Sequence, residues 1–145
     1  MRSGKFASKT SLAAEVWRRL FDFIISTSAQ RGEVLGRYGL TPNDSRALYA
    51  LDSNGRTMQS LAREWACDPS NATFIVDRLE ERRLAERRSL EGDRRVKLVA
   101  LTPLGVKTKA ALTRDLYRPP SELLALGRAD LEVLLSAAAK LRPER

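Results

Sequence analysis

Residues 57–101 read TMQSLAREWACDPSNATFIVDRLEERRLAERRSLEGDRRVKLVAL, and they carry the strongest structural signals in the chain. Apolar residues recur at helical spacing within Thr57–Ala66 and again within Pro69–Arg82. The Asp68-Pro69 pair between these segments provides a capping side chain followed by proline, which is typical of a helix start. Two strand-like segments, 84–90 and 96–101, follow on either side of a turn-forming linker. This order predicts a helix-turn-helix followed by a two-stranded wing.

The segments on both sides of this unit are predicted to be helical. Residues 8–38 form one long helical pattern that ends at Gly39, and Thr41-Pro42 and Thr102-Pro103 repeat the cap-and-proline pattern. Ser121 is a further candidate cap after Pro119-Pro120. The N-terminal helix and residues 131–141 each carry an apolar stripe that is too wide for one small domain to cover. These stripes predict dimerisation, and a two-fold dimer suits a palindromic DNA site.

We therefore predict a mainly α-helical protein with a small β-hairpin wing, arranged as a winged helix-turn-helix with N- and C-terminal dimerisation helices. Residues 1–39 are assigned to the N-terminal dimerisation helix, 40–103 to the DNA-binding domain and 104–145 to the C-terminal helices that complete the dimerisation region.

The composition narrows the chemistry of the chain. Its 145 residues include 26 Lys+Arg and 18 Asp+Glu, which gives a formal charge of +8. The sequence contains no histidine and a single cysteine, which removes the commonest general base, most zinc sites and intrachain disulfides. No Gly-rich phosphate loop is present. We expect a binding protein without enzymatic activity, cofactor or metal, located in the cytoplasm and not in a membrane.

Three segments resemble the multiple-antibiotic-resistance-regulator (MarR) family: LTPNDSRALYAL at 40–51, LAREWACDPSNATFIVDRLEERRLAERR at 61–88 and EGDRRVKLVALTPLG at 91–105. The resemblance implies a homodimer that represses promoters by placing one recognition helix per subunit in successive major grooves of DNA. It also implies a wing in the neighbouring minor groove, and release from DNA by a small ligand or an oxidant.

The helix from Pro69 is the candidate recognition helix. With Ala72, Ile75, Val76 and Leu79 facing inwards, short hydrogen-bonding groups on the outer face suit base edges or phosphates. Phe74 interrupts this polar face, so it either contacts a thymine methyl group or packs against the wing or a neighbouring helix. The candidate DNA-binding residues on this helix are Ser70, Asn71, Thr73, Phe74 and Arg78.

The wing residues are Asp93, Arg94 and Arg95, which lie in the predicted turn after Gly92. A narrow minor groove concentrates negative potential and attracts an arginine at such a tip. The resemblance assigns the groove contact to Arg95 and the orientation of that residue to Asp93, with Arg94 facing phosphate. The alternative is a charged, soluble hairpin turn.

Several further residues carry weaker signals. Thr57 and Arg87 are candidate phosphate contacts, with helix capping as the alternative role of Thr57 and pairing with Asp93 as that of Arg87. The neighbouring Arg88 is expected to be solvated. The position of Cys67 favours packing of its side chain against Ala72 over a role as a reactive thiol. The oxidant-sensing members of the resembled family have a cysteine in the first helix, which this chain lacks.

No motif identifies an effector. The resemblance places Trp17, Phe21 and Tyr49 beside a cleft that suits a small aromatic or phenolic compound. Arg18 or Arg46 would then bind the carboxylate of that compound. The alternative is that these aromatic side chains are core residues. The whole chain is thus expected to be a sequence-specific, homodimeric DNA-binding regulator acting on a pseudo-palindromic operator. A winged-helix module for protein–protein contact, without specific DNA binding, is the alternative.

Overall fold

The N-terminal arm consists of two helices. A computed structural model describes residues 8–141 of the protein and places α1 at Lys9–Ser26 and α2 at Ser28–Arg37, so the expectation of one helix over residues 8–38 is wrong. The interruption lies at Thr27, a buried residue whose hydroxyl donates to the carbonyl oxygen of Phe23 at 2.9 Å. Arg31 donates to the same Thr27 hydroxyl at 2.6 Å. Threonine hydroxyls that bond to the preceding turn bend helices, while the apolar spacing continues across the break.

Local capping signals account for the helix starts of the central unit. Helix α3 (Pro42–Ala50) begins with a capping box between Thr41 and Asp44, and Thr57 caps α4 (Met58–Trp65) by accepting the N–H of Ser60. Asp68 caps α5 (Pro69–Glu81). Each of these caps agrees with the sequence. The turn between α4 and α5 uses Ala66 in the left-handed region (φ +51°), which reverses the chain direction.

A three-stranded antiparallel sheet follows, with β1 (Arg56–Thr57), β2 (Ala85–Leu90) and β3 (Asp93–Leu101) in the order β1-β3-β2. The predicted hairpin is present, but the sequence did not indicate β1, which is too short to show an alternating pattern. The predicted linker over residues 91–95 is also too long. The turn contains only Glu91 and Gly92, the latter at φ +88°, and β3 already begins at Asp93.

The C-terminal segment contains α6 (Pro103–Leu116), α7 (Ser121–Leu124) and α8 (Arg128–Ala138). Thr102 caps α6 as expected. Ser121 does not cap α7: Pro120 occupies the N-cap position, and Ser121 is the first helical residue. Gly105 is required where α6 begins, because a Cβ at this position would lie 1.9 Å from the carbonyl oxygen of Leu84.

One hydrophobic core runs from α2 through the central helices and the sheet to α6. Its most deeply buried side chains are Leu48, Leu51, Leu61, Val76, Leu79, Val99 and Leu112. In contrast, α1 and α8 bury none of their residues within the described chain. The core therefore fixes the central unit, while both terminal helices present apolar side chains outwards.

Candidate nucleic-acid interface

The exposed face of α5 matches the sequence pattern. Ala72, Ile75, Val76 and Leu79 are buried, and the four residues that alternate with them near the N-terminus are exposed; these are Ser70, Asn71, Thr73 and Phe74. Phe74 is 60% exposed, which excludes its packing into the wing or a neighbouring helix within this chain. An exposed aromatic ring in a polar row is an unusual surface feature and a natural contact point for a partner.

The N-terminus of α5 is already occupied by a carboxylate. Asp68 accepts hydrogen bonds from the Asn71 N–H at 2.9 Å and from the Ser70 hydroxyl, and these bonds lower the pKa of the Asp68 carboxyl. Thr73 donates to the carbonyl oxygen of Pro69 at 2.9 Å. The carboxylate of Asp68 thus caps the first turn of α5 and occupies the backbone N–H of Asn71. Asn71 makes no side-chain hydrogen bond within residues 8–141.

Arg78 is tied to a neighbouring helix. Its Nε and Nη2 donate to the two carboxylate oxygens of Asp44 on α3, at 2.9 and 2.8 Å. Asp44 is buried, and burial alone would raise its pKa. The hydrogen bonds from Arg78 and Thr41 outweigh that effect and lower the pKa of the Asp44 carboxyl to about 2. The sequence did not single out Asp44 as a functional residue; its place in the Thr41 capping box was the available signal.

The wing presents two arginines at the start of β3. Arg94 and Arg95 are exposed, and within the described residues neither guanidinium forms a salt bridge or a hydrogen bond. Asp93 accepts the backbone N–H of Arg95 at 2.9 Å. Asp93 thus fixes the backbone beside Arg95 and does not pair with its guanidinium. Both arginines stand on the first residues of a strand and not within a loop.

The other wing arginines fix the wing to the rest of the unit. Arg87 pairs with Asp77 at 2.7 Å and with Glu80, both on α5, so the expected pairing of Arg87 with Asp93 is wrong. Arg88, expected to be solvated, donates to the carbonyl oxygens of Ser53 and Asn54. Since the guanidinium of Arg87 is bound to two carboxylates of α5, it joins the hairpin to the candidate recognition helix.

Thr57 has a confirmed capping role. It is half-buried, and its hydroxyl accepts the backbone N–H of Ser60 at 3.2 Å. Cys67 is partly buried against the core, which agrees with a packing role. A phosphate contact from Thr57 stays a prediction.

The expected aromatic cleft differs from the cavity that the structure contains. A cavity of about 740 Å³ lies beside the Thr27 break, between the α1–α2 junction and the end of α6. Its walls combine apolar side chains with three arginines and two acids; they include Phe23, Ile24, Leu116, Arg31, Arg37, Arg118, Glu33 and Asp115. None of the residues expected there lines it.

Those expected residues have other partners. Trp17 and Phe21 stack on each other at 5.8 Å between ring centroids, and they are 62% and 49% exposed, so they are not core residues of this chain either. Tyr49 shares a hydrogen bond with Thr113 at 2.9 Å. Arg18 pairs with Glu15 and Asp22, and Arg46 donates weakly to the carbonyl oxygen of Trp65 at 3.4 Å.

Residues 8–141 contain no group of three or more potential metal ligands. Among the same residues, no helix has the length and apolar character required to cross a membrane.

Comparison with known proteins supports the winged-helix architecture. Residues 38–96 match the model of the MarR family. The chain resembles the YusO protein of Bacillus subtilis, with a TM-score of 0.75 and 22% identity over 92% of this chain and 96% of that chain. A MarR family protein from Bacillus stearothermophilus has a TM-score of 0.74 and 22% identity over 92% and 95% of the two chains.

The MepR–DNA complex of S. aureus has a TM-score of 0.61 and 24% identity over 83% of this chain and 98% of that chain. No curated protein matches the chain at a significant level. The match to the family model over residues 38–96 and the shared mainly helical architecture with a small antiparallel sheet show that the chain has the winged-helix fold of these proteins.

Proposed function

We propose that the chain is a homodimeric, sequence-specific DNA-binding regulator that represses transcription from a pseudo-palindromic operator. In this proposal α5 of each subunit lies in a major groove, and Asn71, Thr73 and Phe74 face the bases with Ser70 near the backbone. Arg95 enters the adjacent minor groove, and Arg94 contacts phosphate. The observation that carries the proposal is the exposed Arg94-Arg95 pair on a hairpin that Arg87 holds against α5.

The proposed dimer is supported by the terminal helices. On α1 the exposed apolar residues include Val16, Trp17, Leu20 and Phe21, and on α8 they include Leu131, Leu134 and Leu135. Exposed apolar patches of this kind on a monomer mark an interaction surface. A second copy of the chain offers the same two faces, so a two-fold arrangement covers both at once. Two recognition helices are then available to two half-sites.

The direct experiment is an electrophoretic shift with the chain's own promoter and with a shuffled duplex of the same composition. The proposal predicts a retarded band for the promoter at concentrations where the shuffled duplex stays free. Equal, weak binding to both duplexes at the same salt would favour a winged helix used for protein contact.

Arg95→Ala is expected to weaken promoter binding about 5- to 150-fold, because a desolvated groove arginine contributes about 1–3 kcal/mol. Fluorescence anisotropy at fixed salt measures the change. Arg128→Ala is the matched control: it removes the same charge from α8, where the side chain is 92% exposed, and its affinity should stay close to wild type. Equal losses of promoter affinity in the two variants would mean that the wing contributes only a general charge effect.

We also propose that a small aromatic carboxylate or phenolic compound releases the DNA by binding in the cavity beside Thr27. Its walls provide apolar contacts from Phe23 and Leu116 and cationic groups from Arg37 and Arg118. Since α2 and α6 form part of the cavity and also pack on the common core, a ligand that prefers one arrangement of these helices would shift the spacing of the two recognition helices.

With hydroxybenzoate as the probe, we expect operator affinity to fall about tenfold at saturation, which is a typical coupling between two sites. Arg118→Ala should respond only at higher probe concentrations, while Arg128→Ala responds like wild type. Anisotropy titrations at several probe concentrations measure both. A response that is unchanged in Arg118→Ala would exclude this cavity as the site.

A further inference from the structure

We infer that Asp44 is a positioning residue that presents the outer edge of Arg78 to a guanine of the operator, an inference that rests on the proposed function. Asp44 is the only charged side chain that is fully buried among residues 8–141. It lies on α3, and its partner Arg78 lies 34 positions away on α5. The pair therefore joins the proposed recognition helix to a helix that makes no base contact in our proposal.

The carboxylate of Asp44 accepts three hydrogen bonds from two neighbouring residues. One oxygen accepts from Arg78 Nε at 2.9 Å, while the other accepts from Arg78 Nη2 at 2.8 Å and from the backbone N–H of Thr41 at 2.9 Å. The N-cap of α3 and the side chain of Arg78 are thus fixed by one group. A carboxylate held in this way imposes a single orientation on the guanidinium.

The geometry leaves one edge of the guanidinium available. Arginine has five N–H donors in a planar fork, and Asp44 engages the side formed by Nε and Nη2. The end edge, formed by Nη1 and the second hydrogen of Nη2, is the edge that pairs with O6 and N7 of guanine. The Arg78 side chain is 33% exposed, so part of it is accessible to a partner.

Phe74 gives the guanidinium a second fixed neighbour. Its ring centroid lies 5.9 Å from Cζ of Arg78, one turn earlier on α5, and the ring itself is exposed. This contact restricts the arginine further and places an apolar surface beside it. A base pair read by Arg78 would then lie next to one whose thymine methyl group contacts Phe74.

The charges separate this role from general DNA affinity. Because Asp44 neutralises Arg78 locally, the pair adds little attraction toward phosphate, and its contribution is discrimination between bases. Removal of the Asp44 charge should therefore reduce sequence preference while leaving binding to non-specific DNA unchanged or slightly stronger. A purely structural ion pair would instead reduce both, since loss of folded protein weakens all binding.

The test uses the full-length chain and the operator obtained by selection from a random pool. Each guanine is replaced in turn by 7-deazaguanine, which lacks the N7 acceptor. We expect wild type to lose about tenfold in affinity at one guanine of each half-site. Asp44→Asn should lose less than about twofold at the same position, with non-specific affinity at or above wild type. Asp130→Asn, which removes one exposed negative charge from α8, should behave as wild type.

Arg78→Lys provides the second variant in case Asp44→Asn does not fold, as judged by circular dichroism. Lysine keeps the charge and a bond to Asp44 but lacks the planar fork, so it cannot hold Asp44 and the guanine edge in one fixed geometry and should depend less on guanine N7 than wild type. Wild-type discrimination retained in either folded variant would overturn the inference. A wild type that binds a selected operator but depends on no guanine would overturn it while leaving the proposed function intact, and failure to select any operator would overturn both.

Discussion

A Leu135→Asp variant is expected to be monomeric and to bind operator DNA at least about 100-fold more weakly than wild type, because the gain from linking two half-site contacts is lost. Leu135 is 72% exposed on α8, so the substitution removes no packing within the chain. In the proposed dimer the same side chain lies against the partner, where a buried, unpaired carboxylate is strongly unfavourable. Sedimentation velocity measures the oligomeric state, and anisotropy measures the affinity.

Ser136→Asp is the matched control for this prediction. It introduces the same charge one residue later, and the helical period places it about 100° further around α8, off the stripe of Leu131, Leu134 and Leu135. We expect it to sediment as a dimer with affinity near wild type. A Leu135→Asp protein that still sediments as a dimer would exclude α8 from the interface and remove the main support for paired recognition helices.

Gly105→Ala is expected to destabilise the folded protein by about 3 kcal/mol or more, at the upper end of overpacking effects. A Cβ at this position would lie 1.9 Å from the carbonyl oxygen and 2.9 Å from the carbonyl carbon of Leu84. Both are backbone atoms, so no side-chain rotation relieves the clash. The same carbonyl accepts the N–H of Thr102 at 3.1 Å, so any shift also disturbs the N-cap of α6.

Urea unfolding followed by circular dichroism measures this effect. Gly32→Ala is the control, since a Cβ there meets no atom within 4 Å and the position lies inside α2. Alanine should leave stability unchanged or raise it by about 0.5–1 kcal/mol. If Gly105→Ala unfolded at the same urea concentration as wild type, the result would contradict the close packing of α6 on the Leu84 backbone.

The parts of the fold that the sequence predicts are those with local causes. The caps at Thr41, Asp68 and Thr102 act on N–H groups two or three residues away, and the buried face of α5 follows from the helical period. The hairpin was indicated by two strand-like segments on either side of a turn. Its turn was placed too broadly because the charged residues 93–95 resemble a loop in composition, while in the structure they form the start of β3.

The features that the sequence does not reveal depend on contacts between distant residues. Strand β1 exists because Arg56 and Thr57 pair with Val99 and Leu98, and two residues show no periodicity of their own. The partner of Arg78 is 34 residues away, so an outward-facing arginine could not be distinguished from one fixed by Asp44. Arg87 shows the same limit, because its acidic partners on α5 were visible as charges but not as neighbours.

Selection of bound fragments from a random oligonucleotide pool tests the central claim most directly, because it reports sequence preference and half-site spacing together. We expect an enriched inverted repeat whose half-site centres lie one helical turn, roughly 10 base pairs, apart. Enrichment of a single unpaired half-site, or no enrichment above the starting pool, would contradict it.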